Sequence, residues 1–145
     1  MIVYLDASAL VKRYVAESGS AEVEALIGEA QAVATAVLSR AEVAAALGKA
    51  VRVRLVGREA GLKALASFNA DWEHLIRLQF GEPLAARAAK LAWEHGLRGC
   101  DAVHLATALA WGETLGEAAT VATCDRELWR GARTAGLSPW PAAMP

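Results

Sequence analysis

The chain has 145 residues, 55% of them hydrophobic, and a formal net charge of −1. That length supports one compact domain with a real core, and that hydrophobic share excludes a disordered chain. The balanced charge excludes a global basic field, so any nucleic-acid contact has to come from local patches.

The first stretch, Ile2-Val3-Tyr4-Leu5, is a continuous run of β-favouring residues, the pattern of a strand covered on both faces. It stops at Asp6. From Ala7 onward, Leu10, Val11, Tyr14 and Val15 recur at helical spacing. A carboxylate at the carboxyl end of a buried parallel strand lies where open α/β sheets bind their ligands. Glu17-Ser18-Gly19-Ser20 then breaks the pattern. Ser20 is a candidate N-cap for a helix with Val23, Leu26 and Ile27 on its apolar side and Glu22 and Glu24 near the positive end of its dipole.

A short strand is expected over residues 32–35, followed by helices over 39–51 and 58–72 and a strand over 75–78. A helix over 82–94 ends in a His95-Gly96 cap region. Asp101 opens a helix running to Trp111, residues 120–123 form a strand, and Asp125 opens a helix that Gly136 ends. Residues 137–140 add an edge strand before the Pro-rich tail. Strands separated by helices, with no hairpin signal, indicate a three-layer α/β fold with a mainly parallel sheet, and nothing in the sequence suggests a second domain, a repeat or a linker.

No stretch of about 18 apolar residues suggests a membrane span, and Asp6 interrupts the first apolar run before it can form a signal peptide. The two cysteines, Cys100 and Cys124, form no CxxC pair. The expectation is a cytoplasmic protein with reduced thiols.

Four acids stand out, and each has a bland explanation. Asp6, Asp101 and Asp125 sit where N-caps sit. Glu42 closes Ser39-Arg40-Ala41-Glu42, which fits a capping box. Their placement favours more. Asp101 shares a helix face with Leu105 and Ala108, which should be buried, and Glu42 borders the Val43, Ala46, Ala50 stripe. Buried carboxylates are costly without a partner, and no Lys or Arg is expected on the inner face beside Asp101. Acids converging on one cleft suit a hard divalent cation such as Mg²⁺ or Mn²⁺, and clustering should raise their pKa values. Ser8 and Thr123 place hydroxyls two residues from Asp6 and Asp125, where they can orient the carboxylates.

The set Leu5-Asp6-Ala7-Ser8-Ala9-Leu10-Val11-Lys12, Glu42 in Ser-Arg-Ala-Glu-Val, Asp101 in Cys-Asp-Ala-Val-His-Leu-Ala-Thr-Ala-Leu and Asp125 in Thr-Cys-Asp-Arg-Glu-Leu resembles the PIN domain, in the family's order. It resembles most the stand-alone VapC type, the toxin of a toxin–antitoxin pair. The resemblance implies a Rossmann-like fold and a Mg²⁺- or Mn²⁺-dependent endoribonuclease. Asp6, Glu42, Asp101 and Asp125 become its catalytic and metal-binding quartet, with Ser8 and Thr123 as supporting hydroxyls. It also implies an RNA substrate, a VapB-like antitoxin that blocks the acidic cleft, and a homodimer.

An acidic pocket that receives RNA needs a basic rim, for which Lys12, Arg40, Arg98 and Arg126 are the candidates. Exposed Tyr14 would suit a dimer or antitoxin surface. His104 reads as a hydrogen-bonded structural histidine, and His74 and His95 as surface residues. Two rivals remain: a zinc site built from Cys100, His104, Cys124 and His95, and a PIN-like fold that binds without catalysing.

Overall fold

The computed structural model describes residues 1–145. Five strands, β1 (Ile2–Leu5), β2 (Ala32–Ala36), β3 (Ile76–Leu78), β4 (Thr120–Ala122) and β5 (Ser138–Trp140), form one sheet in the order β3-β2-β1-β4-β5. Every pairing is parallel. The chain winds outward from β1 to β2 and β3, then returns to place β4 on β1's other side. The carboxyl ends of β1 and β4 therefore meet at the point where the winding reverses, the ligand position of open α/β sheets.

β1 explains the layering. All of its side chains are buried, and they alternate between two cores. Val3 and Leu5 pack with Leu10, Val43, Leu47, Phe68 and Trp72, from α1 (Ala7–Leu10), α3 (Ser39–Arg52) and α4 (Arg58–Trp72). Ile2 and Tyr4 face the opposite core, with Leu91, Leu105 and Leu128 from α5 (Glu82–His95), α6 (Gly99–Leu115) and α7 (Arg126–Thr134). Helix α2 (Ser20–Glu29) joins the first core through Leu26. No helix is long and apolar enough to cross a membrane.

Most boundaries fall within a residue or two of those expected, and Gly96 (φ 64°) provides the left-handed cap of α5. Four local expectations are corrected. The first helix stops at Leu10 and tightens into a 3-10 turn, Val11–Arg13. Tyr14 then turns inward, stacked edge-on against Phe68 at 5.3 Å with its hydroxyl donating to Asp71, so it is no exposed docking residue. Burial pushes the Tyr14 phenol up to about 12. Ser20 does not cap α2: Gly19 (φ 88°) holds that position, and the Ser20 hydroxyl donates to the Val15 carbonyl.

The capping box at Ser39 does not form either. Leu38 is the N-cap of α3, and Ser39, fully buried, faces Thr35 with 2.6 Å between hydroxyl oxygens. Thr35 donates its one proton to the Leu5 carbonyl at 2.7 Å, so Ser39 must donate to Thr35. This pair ties the ends of β1 and β2 to the start of α3. Thr35→Val should therefore cost about 1–3 kcal/mol, because it strands buried polar groups; urea unfolding checks this.

Candidate active site

A cavity of about 220 Å³ opens at the carboxyl edge of β1 and β4, lined by Asp6, Ser8, Glu42, Arg98, Asp101, His104 and Asp125 among others. The four acids come from four elements in both helical layers and from chain positions more than a hundred residues apart.

Asp6 sits deepest, 4% exposed. It is the N-cap of α1, its Oδ1 accepting from the Ala9 N–H at 2.9 Å. Ser8 Oγ donates to the same carboxylate at 2.7 Å, and Thr123 Oγ1 donates to Oδ2 at 2.7 Å. The two hydroxyls then accept from the turn after β4: Ser8 from the Cys124 N–H at 2.8 Å, Thr123 from the Asp125 N–H at 2.9 Å. They stitch the end of β1 to the end of β4 through the carboxylate of Asp6. Burial raises the Asp6 pKa, opposed by His104, the Ala9 N–H and the two hydroxyls. The cause is desolvation, where crowding by neighbouring acids was expected.

Asp125 also caps its helix, Oδ1 accepting from the Glu127 and Leu128 N–H groups at 2.8 and 3.0 Å. The cap explanation therefore holds for Asp6 and Asp125 even as both line the cavity. Asp101 does not open its helix; α6 begins at Gly99, and Asp101 lies in its first turn, 7% exposed.

Asp101 has a basic partner, contrary to expectation. Arg98 Nε donates to Asp101 Oδ2 at 2.8 Å, and its Nη2 donates to Asp125 Oδ2 at 2.6 Å. The reason lies in the backbone. Arg98 is the N-cap of α6 in an extended conformation (ψ 155°), off the helical register, so its side chain folds back across the first turn. Its side chain remains 73% exposed, and the two carboxylates raise its pKa further.

Glu42, on α3, reaches the cavity from the other layer and accepts from His104 Nε2 at 2.7 Å. His104 is 2% exposed, and its Nδ1 lies 2.8 Å from the Tyr4 hydroxyl. This contact was not foreseen. The available signal was a tyrosine in a fully buried strand, whose hydroxyl has to find a polar partner.

The other basic candidates do not line this cavity. Lys12 is bound to Glu17 and the Ser18 carbonyl and faces a separate space beside Cys124 and Trp140. Arg40 lies over the Trp72 ring at 5.7 Å, and Arg126 is exposed. The zinc reading fails: Cys100 is exposed, both ring nitrogens of His104 are engaged, and no three metal-binding side chains gather tightly enough to ligate one ion.

That last fact applies to the acids too. They share a cavity but form no ready-made cage, because Arg98 and His104 hold three of them. Their chemistry nevertheless suits a hard divalent cation: all donors are oxygens, and Arg98 offsets only one of four negative charges.

A family model described as the PIN domain matches residues 3–133. The chain belongs to the PIN-domain family. Ribonuclease VapC45 and Ribonuclease VapC49, from two strains of Mycobacterium tuberculosis, are each 39% identical to this PIN domain over 147 aligned positions, covering 99% of it and 97% of their own length. Among solved structures, Mycobacterium tuberculosis VapC20, described as a sarcin-ricin loop cleaving toxin, superposes with a TM-score of 0.66 at 16% identity, covering 100% of both chains. VapBC2 from Rickettsia felis, bound to a promoter DNA fragment, superposes with a TM-score of 0.64 at 16% identity, covering 96% of this chain and 97% of that one. At such identities these likenesses establish the fold.

The raised Asp6 pKa gives a signed prediction. Between the unfolded carboxyl value, near 3.8, and the higher folded value, the native state binds more protons than the unfolded one, so stability falls as pH rises through that window. Asp6→Asn carries no such cost. Its stability relative to the parent should improve as pH rises from below 3.8 to 7, as read by urea unfolding at each pH.

Proposed function

We propose that this PIN domain is a divalent-metal-dependent endoribonuclease, the toxin of a VapBC-type pair, acting in the cytoplasm as a single-domain protein. One observation carries the metal part of the reading: four carboxylates line one cavity that presents a single cationic side chain, leaving a charge deficit that Mg²⁺ or Mn²⁺ fits. The ribonuclease part is supported by whole-length relatives named as ribonucleases.

In this reading Asp6, Glu42, Asp101 and Asp125 hold the cation. When bound, it supplies an activated water and neutralises charge on the phosphate and the leaving oxygen. The chain's own residues set the stage. Ser8 and Thr123 fix the Asp6 carboxylate so that both of its oxygens keep their orientation. Arg98, exposed at the mouth and paired with Asp101 and Asp125, would offer its planar donors to the scissile phosphate once those carboxylates held a cation instead. Arg40 and Arg126 meet the RNA backbone beyond the cavity. Lys12, already paired, is the weakest of the four basic candidates.

The likeness to VapC toxins supports the choice of partners. RNA is the substrate, a small VapB-like antitoxin covers the acidic cavity, and the protein works as a homodimer. A catalytically silent binding module is the rival, and nothing at the site favours it.

Purified protein should cut RNA in Mg²⁺ or Mn²⁺, stop in EDTA and recover on re-addition of metal. Asp101→Asn should lose at least about 100-fold in rate with an unchanged circular dichroism spectrum, since even outer partners of a metal are worth 10–100-fold. Cleavage that persists in EDTA, or RNA binding without cleavage, overturns the reading. Arg98→Gln should lower the Mn²⁺ concentration needed for half-saturation, because it removes a competitor for Asp101 and Asp125; calorimetric titration of the metal-free protein reads this.

A further inference from the structure

We propose that Tyr4 and His104 form a one-way hydrogen-bond chain that holds the Glu42 carboxylate at the cavity, making both of them positioning residues for the site. This rests on the reading that Glu42 belongs to the metal-binding set.

Glu42 is the acid that most needs holding. Asp6 is fixed by two hydroxyls and a backbone N–H, Asp125 by two backbone N–H groups and Arg98, and Asp101 by Arg98. Glu42 carries an extra methylene, its side chain is 28% exposed, and its one hydrogen bond is to His104. Without that bond it would sample several rotamers, and ordering it on cation arrival would cost side-chain entropy.

The direction of the chain follows from its donors and acceptors. Glu42 can only accept, so His104 Nε2 carries the ring proton, and Nδ1, 2.8 Å from the fully buried Tyr4 hydroxyl, is left to accept the phenolic proton. The polarity therefore runs Tyr4 to His104 to Glu42. Tyr4 reinforces this tautomer, and the tautomer sets the carboxylate, the role that buried partners play for ligands in metal sites generally. The chain also crosses the sheet's carboxyl edge, joining α6 on one face to α3 on the other.

The first test needs no metal. Long-range proton–nitrogen NMR of ¹⁵N-labelled protein at alkaline pH should show His104 protonated on Nε2, and Tyr4→Phe should remove that bias. An Nδ1-protonated ring overturns the proposal. The second test is a double-mutant cycle read by Mn²⁺ calorimetry. His104→Leu should weaken Mn²⁺ binding by about tenfold. The loss should vanish in a Glu42→Gln background, and His104→Gln, whose amide can still donate to Glu42, should recover most of it. Unchanged affinity in His104→Leu, or losses that simply add, assign His104 to stability alone and overturn the proposal. If His104→Leu does not fold, Tyr4→Phe enters the same cycle with a smaller expected loss and the same criterion. A parent protein that binds no Mn²⁺ defeats the metal reading itself, an outcome separable from the others because the tautomer is read without metal.

Discussion

The placement of one carboxylate, Asp6, at the end of a strand buried on both sides organises this molecule. A charge there is unfavourable in proportion to its burial, and the chain answers with donors drawn from both ends of the sequence. Ser8 and the Ala9 N–H come from the turn that follows, and Thr123 comes from the end of β4. The hydroxyls spend their protons on Asp6 and take N–H groups from Cys124 and Asp125 in return. One carboxylate thus fixes the register of two strand ends and the trajectory of α7. The site and the fold share these atoms, so a change that relaxes one disturbs the other.

The remaining acids repeat this economy on a smaller scale. Asp125 caps a helix with one oxygen and faces the cavity with the other. Asp101 and Asp125 are bridged by the same guanidinium, and Glu42 accepts from His104. The negative charges are therefore divided among Arg98, His104 and the donors around Asp6. The cost of burying Asp6 and Asp101 is offset by these contacts.

Much of this was legible in the residue order. The apolar run of Ile2–Leu5, the helical spacing after it and the absence of any hairpin signal led to a parallel three-layer fold, and the acids' positions at element ends marked them for attention. Three of the misses have a common cause. Arg98 reaches Asp125 across 27 residues, His104 reaches Glu42 across 62, and Tyr4 reaches His104 across 100, so each contact depends on how layers pack and none on local pattern. The capping box at Ser39 failed for a local reason: Leu38 takes the N-cap, and the Ser39 hydroxyl turns to Thr35, four residues earlier. Tyr14 had a suitable helical position, yet Phe68 and Asp71, distant in sequence, claimed it.

The order of the sheet has a further consequence for synthesis. β1 is synthesised well before its neighbour β4, which spans Thr120–Ala122. Until that strand arrives, β1 has one open edge, and Asp6 lacks the Thr123 hydroxyl that closes its donor set. Domains fold as units once their long-range pairings are available. A nascent polypeptide halted before β4 therefore carries no assembled acid cavity, because Thr123 and Asp125 have yet to be made.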